Sequence, residues 1–183
     1  MYLLIEVVLV SCASNDDECA FADASEALIE DVNAWNVSYE SYNTIELVSS
    51  GDTIPKEDHV IWLEVDPEYV SQSSGWPGRL MACSSRPTLS TSIKTIQVYT
   101  AANFNDSLSM GIELTERFEF YTPDDEPVPV TEIDILNEQF KSDFYLFLKP
   151  AIVPTETRVQ YSIDIETVDG REFNLRTDPV YLK

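Results

Sequence analysis

Few side chains in this sequence are of a kind that does chemistry, and their spacing keeps them apart. Cysteines stand at positions 12, 19 and 83, and the only histidine is His59. A nucleophile–base pair has no sequence support, since there is no Gly-x-Ser-x-Gly elbow, no His-Glu-x-x-His helix and no glycine-rich phosphate loop. His59 opens an apolar run and reads as a packed or solvent-facing residue, not as a general base. Carboxylates are so abundant, 33 Asp and Glu against 11 Lys and Arg, that a glycosidase-like pair among them carries no information. No Asp-x-Asp-x-Asp-Gly calcium loop occurs, so the sequence assigns no metal and no cofactor. A formal net charge of −22 argues against nucleic acid or an anionic lipid surface as partner. What remains is binding without catalysis.

Trp76 is the one aromatic residue placed for that task. It lies in the stretch 66–87, which carries Pro67, Gly75, Pro77, Gly78 and Pro87 and reads as the longest loop. A tryptophan in such a loop either offers a platform for a flat ligand such as a sugar ring or folds back onto its own core.

The start of the chain speaks about location. Residues 3–10 are almost wholly apolar, too few to span a bilayer, and end in a small residue before a cysteine, as a secretory signal does. The sequence Leu9-Val10-Ser11-Cys12 resembles the bacterial lipobox, and the resemblance implies that Cys12 is acylated and becomes the N-terminus. Two or three acyl chains make such an anchor stable where one chain would hold only marginally. No Lys or Arg precedes the apolar run and Glu6 interrupts it, so the reading places the true start upstream of Met1. The competing reading of residues 3–10 is an ordinary buried strand, with Cys12 as a core thiol. Behind Cys12, Ser14-Asn15-Asp16-Asp17-Glu18 resembles the signal that sends Bacteroidota lipoproteins to the outer face of the outer membrane; a self-repelling acidic run also serves as a solvated tether. With Cys12 lipidated, Cys19 and Cys83 remain in an oxidising compartment. They either form a disulfide, worth about 4 kcal/mol in the chain-entropy model, or stay as buried thiols; the spacing decides neither.

These residues need a scaffold, and the hydrophobic pattern supplies one. Residues 1–11 are read as signal, 12–31 as tether and lead-in, and 32–183 as one domain. Strands are expected over 32–39 (with a bulge where the apolar phase changes between Ala34 and Trp35), 42–48, 59–65, 93–100, 118–121, 144–148 and 159–167. In the segment 59–65, Ile61, Leu63 and Val65 share one face and Val60 and Trp62 the other, which marks a central strand covered on both sides. Thr131 followed by Asp134 suggests a helix cap, and Ile133, Leu136 and Phe140 repeat at helical spacing. Asp169-Gly170 suggests a type I′ hairpin turn, after which Phe173, Leu175 and Thr177 return on one face. Many strands and at most one or two short helices imply an all-β, antiparallel sandwich of immunoglobulin-like outline, without the Cys and Trp framework of a true immunoglobulin domain.

Several stretches together carry a resemblance to a family. Ile54-Pro55-Lys56-Glu57, the strand at 93–100, Asn103-Phe104-Asn105-Asp106 and the segment from Gly111 through Leu114-Thr115 to Phe118 resemble an uncharacterised family of Bacteroidota envelope lipoproteins, a domain of unknown function. The resemblance implies an envelope lipoprotein of a gut- or host-associated type, which supports the outer-membrane location and says nothing of a ligand. Apart from it, the leading reading is a non-catalytic surface module for a glycan, a host component or another envelope protein, with the loop 66–87 and the hairpin tips as its candidate surfaces. The alternative is a structural subunit, pilus-like or accessory to an import complex. Periplasmic O-glycosylation in such bacteria uses Asp, then Ser or Thr, then an apolar residue. By that pattern Thr53, in Asp52-Thr53-Ile54, and Ser107, in Asp106-Ser107-Leu108, are candidate modification sites in expected loops.

Overall fold

Alternating apolar and polar residues put every second side chain on one face of a strand, so a chain rich in such runs must close two sheets over a common core. A computed structural model describes residues 26–41, 44–69, 87–104, 108–121, 127–155 and 157–183. In chain order these form β1 (Glu26–Ser41), β2 (Thr44–Leu47), β3 (Thr53–Ile54), β4 (His59–Tyr69), β5 (Thr88–Leu89), β6 (Ile93–Thr100), β7 (Phe118–Tyr121), β8 (Val128–Pro129), α1 (Ile133–Asp143), β9 (Tyr145–Pro150), β10 (Arg158–Val159), β11 (Tyr161–Thr167), β12 (Glu172–Arg176) and β13 (Val180–Leu182).

One sheet runs β2-β1-β4-β9-β7-β8, with β5 joined to β1; opposite it lie two three-stranded sheets, β12-β11-β6 and β10-β13-β3. The result is the expected all-β sandwich of immunoglobulin-like outline. Its pairing is antiparallel except where β5 runs alongside β1 and β3 alongside β13. One continuous core joins the sheets, with Ile61, Leu63 and Leu146 from the first meeting Ile96, Val98 and Ile163 from the second and Val180 from the third. As the pattern at 59–65 required, β4 is central. Ile61, Leu63 and Val65 enter this core, while Val60 and Trp62 join Val37 and Phe147 in a smaller cluster on the outer face.

Several boundaries differ from the sequence expectation. The first strand begins at Glu26, so residues 26–31 belong to the domain and not to the tether. Its register shift falls between Ile29 and Asp31, not at Ala34 and Trp35. An extra residue there keeps Ala27, Ile29 and Val32 all buried despite their uneven spacing. Farther along no bulge is needed, because Val32 and Ala34 face the main core while Val37 faces the small cluster.

The alternating run 159–167 is two strands: β10 pairs with β13, and after Gln160 β11 pairs with β6 and β12. The β11–β12 turn also departs from type I′, since Gly170 has φ +84° but Asp169 does not have positive φ. Gly170 N–H donates to the Thr167 carbonyl at 2.9 Å and Thr167 N–H to the Arg171 carbonyl at 2.9 Å, the three-residue loop that ends in a left-handed glycine. In α1 no side chain caps the N-terminus, so Thr131 does not play the expected part; Glu132 occupies the cap position. Leu136 and Phe140 anchor the helix in the core. Asn137 holds the start of β6 with both amide atoms, accepting from Ile93 N–H and donating to its carbonyl, each at 2.8 Å.

Candidate functional site

An open cleft of about 410 Å3 lies where β1 passes β12, lined by residues 31–36, Val48, residues 174–176 and Asp178. Its lining explains its character. Side chains of a strand alternate between faces, so consecutive residues line one cavity only when the cavity sees the edge of the strand. Here β1 and β12 both present edges.

The pairing of β1 shows why that edge is open. Along one side it pairs with β4 from Ala27 to Ser38. Along the other, among the described residues, β5 covers only Glu26 and Ala27, and β2 begins only at Val37. Since Val48 N–H donates to the Asn36 carbonyl at 3.0 Å, the Asn36 backbone faces the β2 side, and by alternation so do those of Ala34 and Val32. Three groups seal parts of the gap. The Arg171 guanidinium donates to the Ile29 carbonyl, the Asp31 carboxylate accepts from Val32 N–H at 2.8 Å, and Val48 covers the Asn36 carbonyl. Such devices are how native sheets limit edge-to-edge pairing. Arg171 is itself held by Asp169, whose Oδ2 lies 2.8 Å from Nη2. A hydrogen bond from Thr167, and then one from Arg171, keep the Asp169 carboxyl below its ordinary range.

Beneath the cleft a buried polar pair fixes its floor. Asn36 Nδ2 donates to the Asp178 carbonyl at 2.7 Å, which turns Oδ1 toward His59 Nε2 at 3.0 Å. Nε2 therefore carries the proton and Nδ1 is the bare nitrogen. His59 Nδ1 and the Tyr161 hydroxyl are buried with no hydrogen-bond partner among the described residues, and the two rings stack at 5.9 Å. Burial lowers the His59 pKa to about 4, with the Lys149 charge adding to it, so the imidazole is neutral at ordinary pH. Burial likewise raises that of Tyr161. The neutral imidazole is enclosed in the core and holds the Asn36 amide through Nε2.

At the rim, Trp35 is 43% exposed, and Asn33, Asn174, Arg176 and Asp178 surround the opening with amide, cation and carboxylate. This is chemistry for holding a ligand by hydrogen bonds and ring contact. Among the described residues no cluster of three or more His, Cys, Asp or Glu could hold a metal ion.

The sequence-predicted sites fall elsewhere. Thr53 is exposed in β3, a two-residue strand and not a loop, and does not line the cleft. Cys12, Cys19, Trp76, Cys83 and Ser107 lie outside the described residues. His59 is packed, one of the two fates its position suggested. Sequence reading missed Trp35, Asn36 and the cleft. The available signal was Asn36, which falls in phase with Val32 and Ala34 on the inward face of β1, where a buried amide needs a specific partner. No helix among the described residues is long and apolar enough to cross a membrane. No family model, curated protein or solved structure matches the chain.

Proposed function

We propose that this protein is a non-catalytic binding module, anchored in the outer membrane through lipid on Cys12 and displayed to the cell exterior, whose ligand site is the cleft between β1 and β12. The observation that carries the binding reading is the cleft itself: open, edged by unpaired backbone, rimmed by a half-exposed Trp35 and by Asn33, Asn174, Arg176 and Asp178. The address rests on the Leu9-Val10-Ser11-Cys12 stretch and the acids behind it. A glycan, a host component or another envelope protein are the ligand classes in view. A structural subunit that assembles by strand addition is the second reading, favoured by the same open edge of β1.

Two experiments test this. Cells fed labelled palmitate incorporate it into the protein and lose the label in Cys12→Ala; absence of label ends the anchor. The purified protein, screened on a printed glycan array and by calorimetry against extended peptides, binds a ligand that the double substitution Trp35→Ala, Arg176→Ala weakens at least tenfold. Binding unaffected by those changes removes the cleft from the function, and self-polymerisation in place of ligand binding establishes the structural reading.

A further inference from the structure

A cleft formed by side chains selects shapes, whereas a cleft formed by the edge of a strand selects another strand. On the outer side of β1 the ladder stops at Ala27 and resumes at Val37. After the seals at Ile29, Val32 and Asn36, four backbone groups face the gap with no partner among the described residues: the Val32 carbonyl, both Ala34 groups and the Asn36 N–H. They follow one another along the edge in the order and spacing that an added strand satisfies, over a length of about 13 Å at ~3.3 Å per residue. We infer that the cleft takes an extended polypeptide segment from a partner protein, added to the edge of β1 in line with β2 and β5. The inference rests on the reading of this cleft as the ligand site and specifies its ligand class.

The surroundings also state what the segment carries. Side chains on its inner face meet Val32, Ala34, Val48 and Leu175, which accept small apolar groups; those on its outer face emerge beside Trp35 and Asn33. An alternating apolar–polar segment fits both. Its polar residues are basic, because Asp31 and Asp178 outnumber Arg176 in the cleft and the chain as a whole carries −22. This chain's own start is a poor occupant on the same ground, since residues 1–25 contain acids and no Lys or Arg.

The test uses the whole protein and the synthetic peptide acetyl-(Lys-Val)3-amide, with the same peptide N-methylated throughout as a control of equal charge. Binding of the unmethylated peptide slows hydrogen exchange of the Ala34 and Asn36 amides at least tenfold, and methylation weakens binding at least tenfold. Ala34→Pro removes the facing N–H and loses binding to the same degree, while its melting temperature stays close to that of the parent because the lost donor has no partner among the described residues. Equal binding of both peptides reduces the interaction to charge and overturns the inference. So does protection of the Ala34 amide before any peptide is added, which would mean that the edge is already closed. Glycan binding at the cleft without peptide binding also overturns it but leaves the binding-module reading standing; binding of neither brings down both.

Discussion

β4 and β1 are neighbours in one sheet, and each has apolar side chains on both faces, yet they differ at a single edge. β4 is paired on both sides, by β1 and by β9, so its backbone donors and acceptors are consumed within the sheet. Among the described residues, β1 is fully paired only toward β4. On the far side it relies on a carboxylate, a guanidinium and one loop amide to occupy what a strand would have occupied. The comparison teaches that burial of side chains and satisfaction of backbone are separate conditions. A strand can meet the first completely and leave the second open, and the open part is where a ligand can add free energy without displacing anything.

Proline substitution breaks the comparison most sharply. Ile61→Pro in β4 removes an N–H that faces β9, at a cost of about 3 kcal/mol or more, and urea unfolding shows little or no folded protein. Ala34→Pro in β1 stays within about 1 kcal/mol of the parent, since its N–H faces the gap. Similar losses at the two positions would mean that the β1 edge is not open.

His59, at the start of β4, ties that strand to the cleft floor through Asn36, and acid tests the tie. Its pKa is about 4 in the folded state against 6.5 unperturbed, so the unfolded chain binds the proton first. Stability is therefore lost as pH falls from about 6.5 toward 4, by up to about 3 kcal/mol. His59→Gln, which keeps a donor toward Asn36, flattens that part of the curve. Carboxylates govern the curve below the window, so the difference between parent and variant is the quantity to measure. An unchanged slope would assign the effect to other groups.

Removing the seals sharpens the contrast with smaller effects. Arg171→Ala frees the Ile29 carbonyl and releases Asp169 from the hairpin tip, lowering stability by about 1–2 kcal/mol in chemical denaturation. Amide exchange in β12 rises with it. Asp31→Ala uncovers Val32 N–H at a cost of about 0.5 kcal/mol, because water can reach that group at the cleft. It also removes one of the two carboxylates that favour a basic segment, so binding of acetyl-(Lys-Val)3-amide weakens two- to threefold at low salt; unchanged binding would show that the charge of Asp31 plays no part in the choice of ligand.

Much of the architecture was legible because alternation reports on faces. The strands at 93–100 and 118–121 match β6 and β7 residue for residue, and the two-faced pattern at 59–65 identified β4 as central. The helix was legible from Ile133, Leu136 and Phe140, though its cap was not, since no side chain of the cap residue supplies one. Where sheets exchange a strand, the pattern is silent. The run from Val159 to Thr167 keeps its alternation through Gln160 while the chain changes partners, because both partners bury the same face. The change of apolar phase at Ala34 and Trp35 marks two covered faces and not a bulge, since Trp35 lies 43% exposed on the outer face and the register shift falls between Ile29 and Asp31. Asp169-Gly170 fits two hairpin geometries equally well, and the Thr167 carbonyl and hydroxyl, bonded across the loop, selected the three-residue form.

By itself the sequence determined the fold class, the central strand, the acid balance and the faces of the regular strands, all of which follow from local periodicity and composition. The cleft was decided only by tertiary structure. An edge is open or closed according to which strands arrive beside it, and that depends on register among segments far apart in the chain. Asn36 became a floor residue because His59 and Asp178 meet it there, and Arg171 became a seal because its hairpin reaches the Ile29 carbonyl. Side-chain pattern states which face is buried; only the assembled sheet states which backbone groups are left to bind.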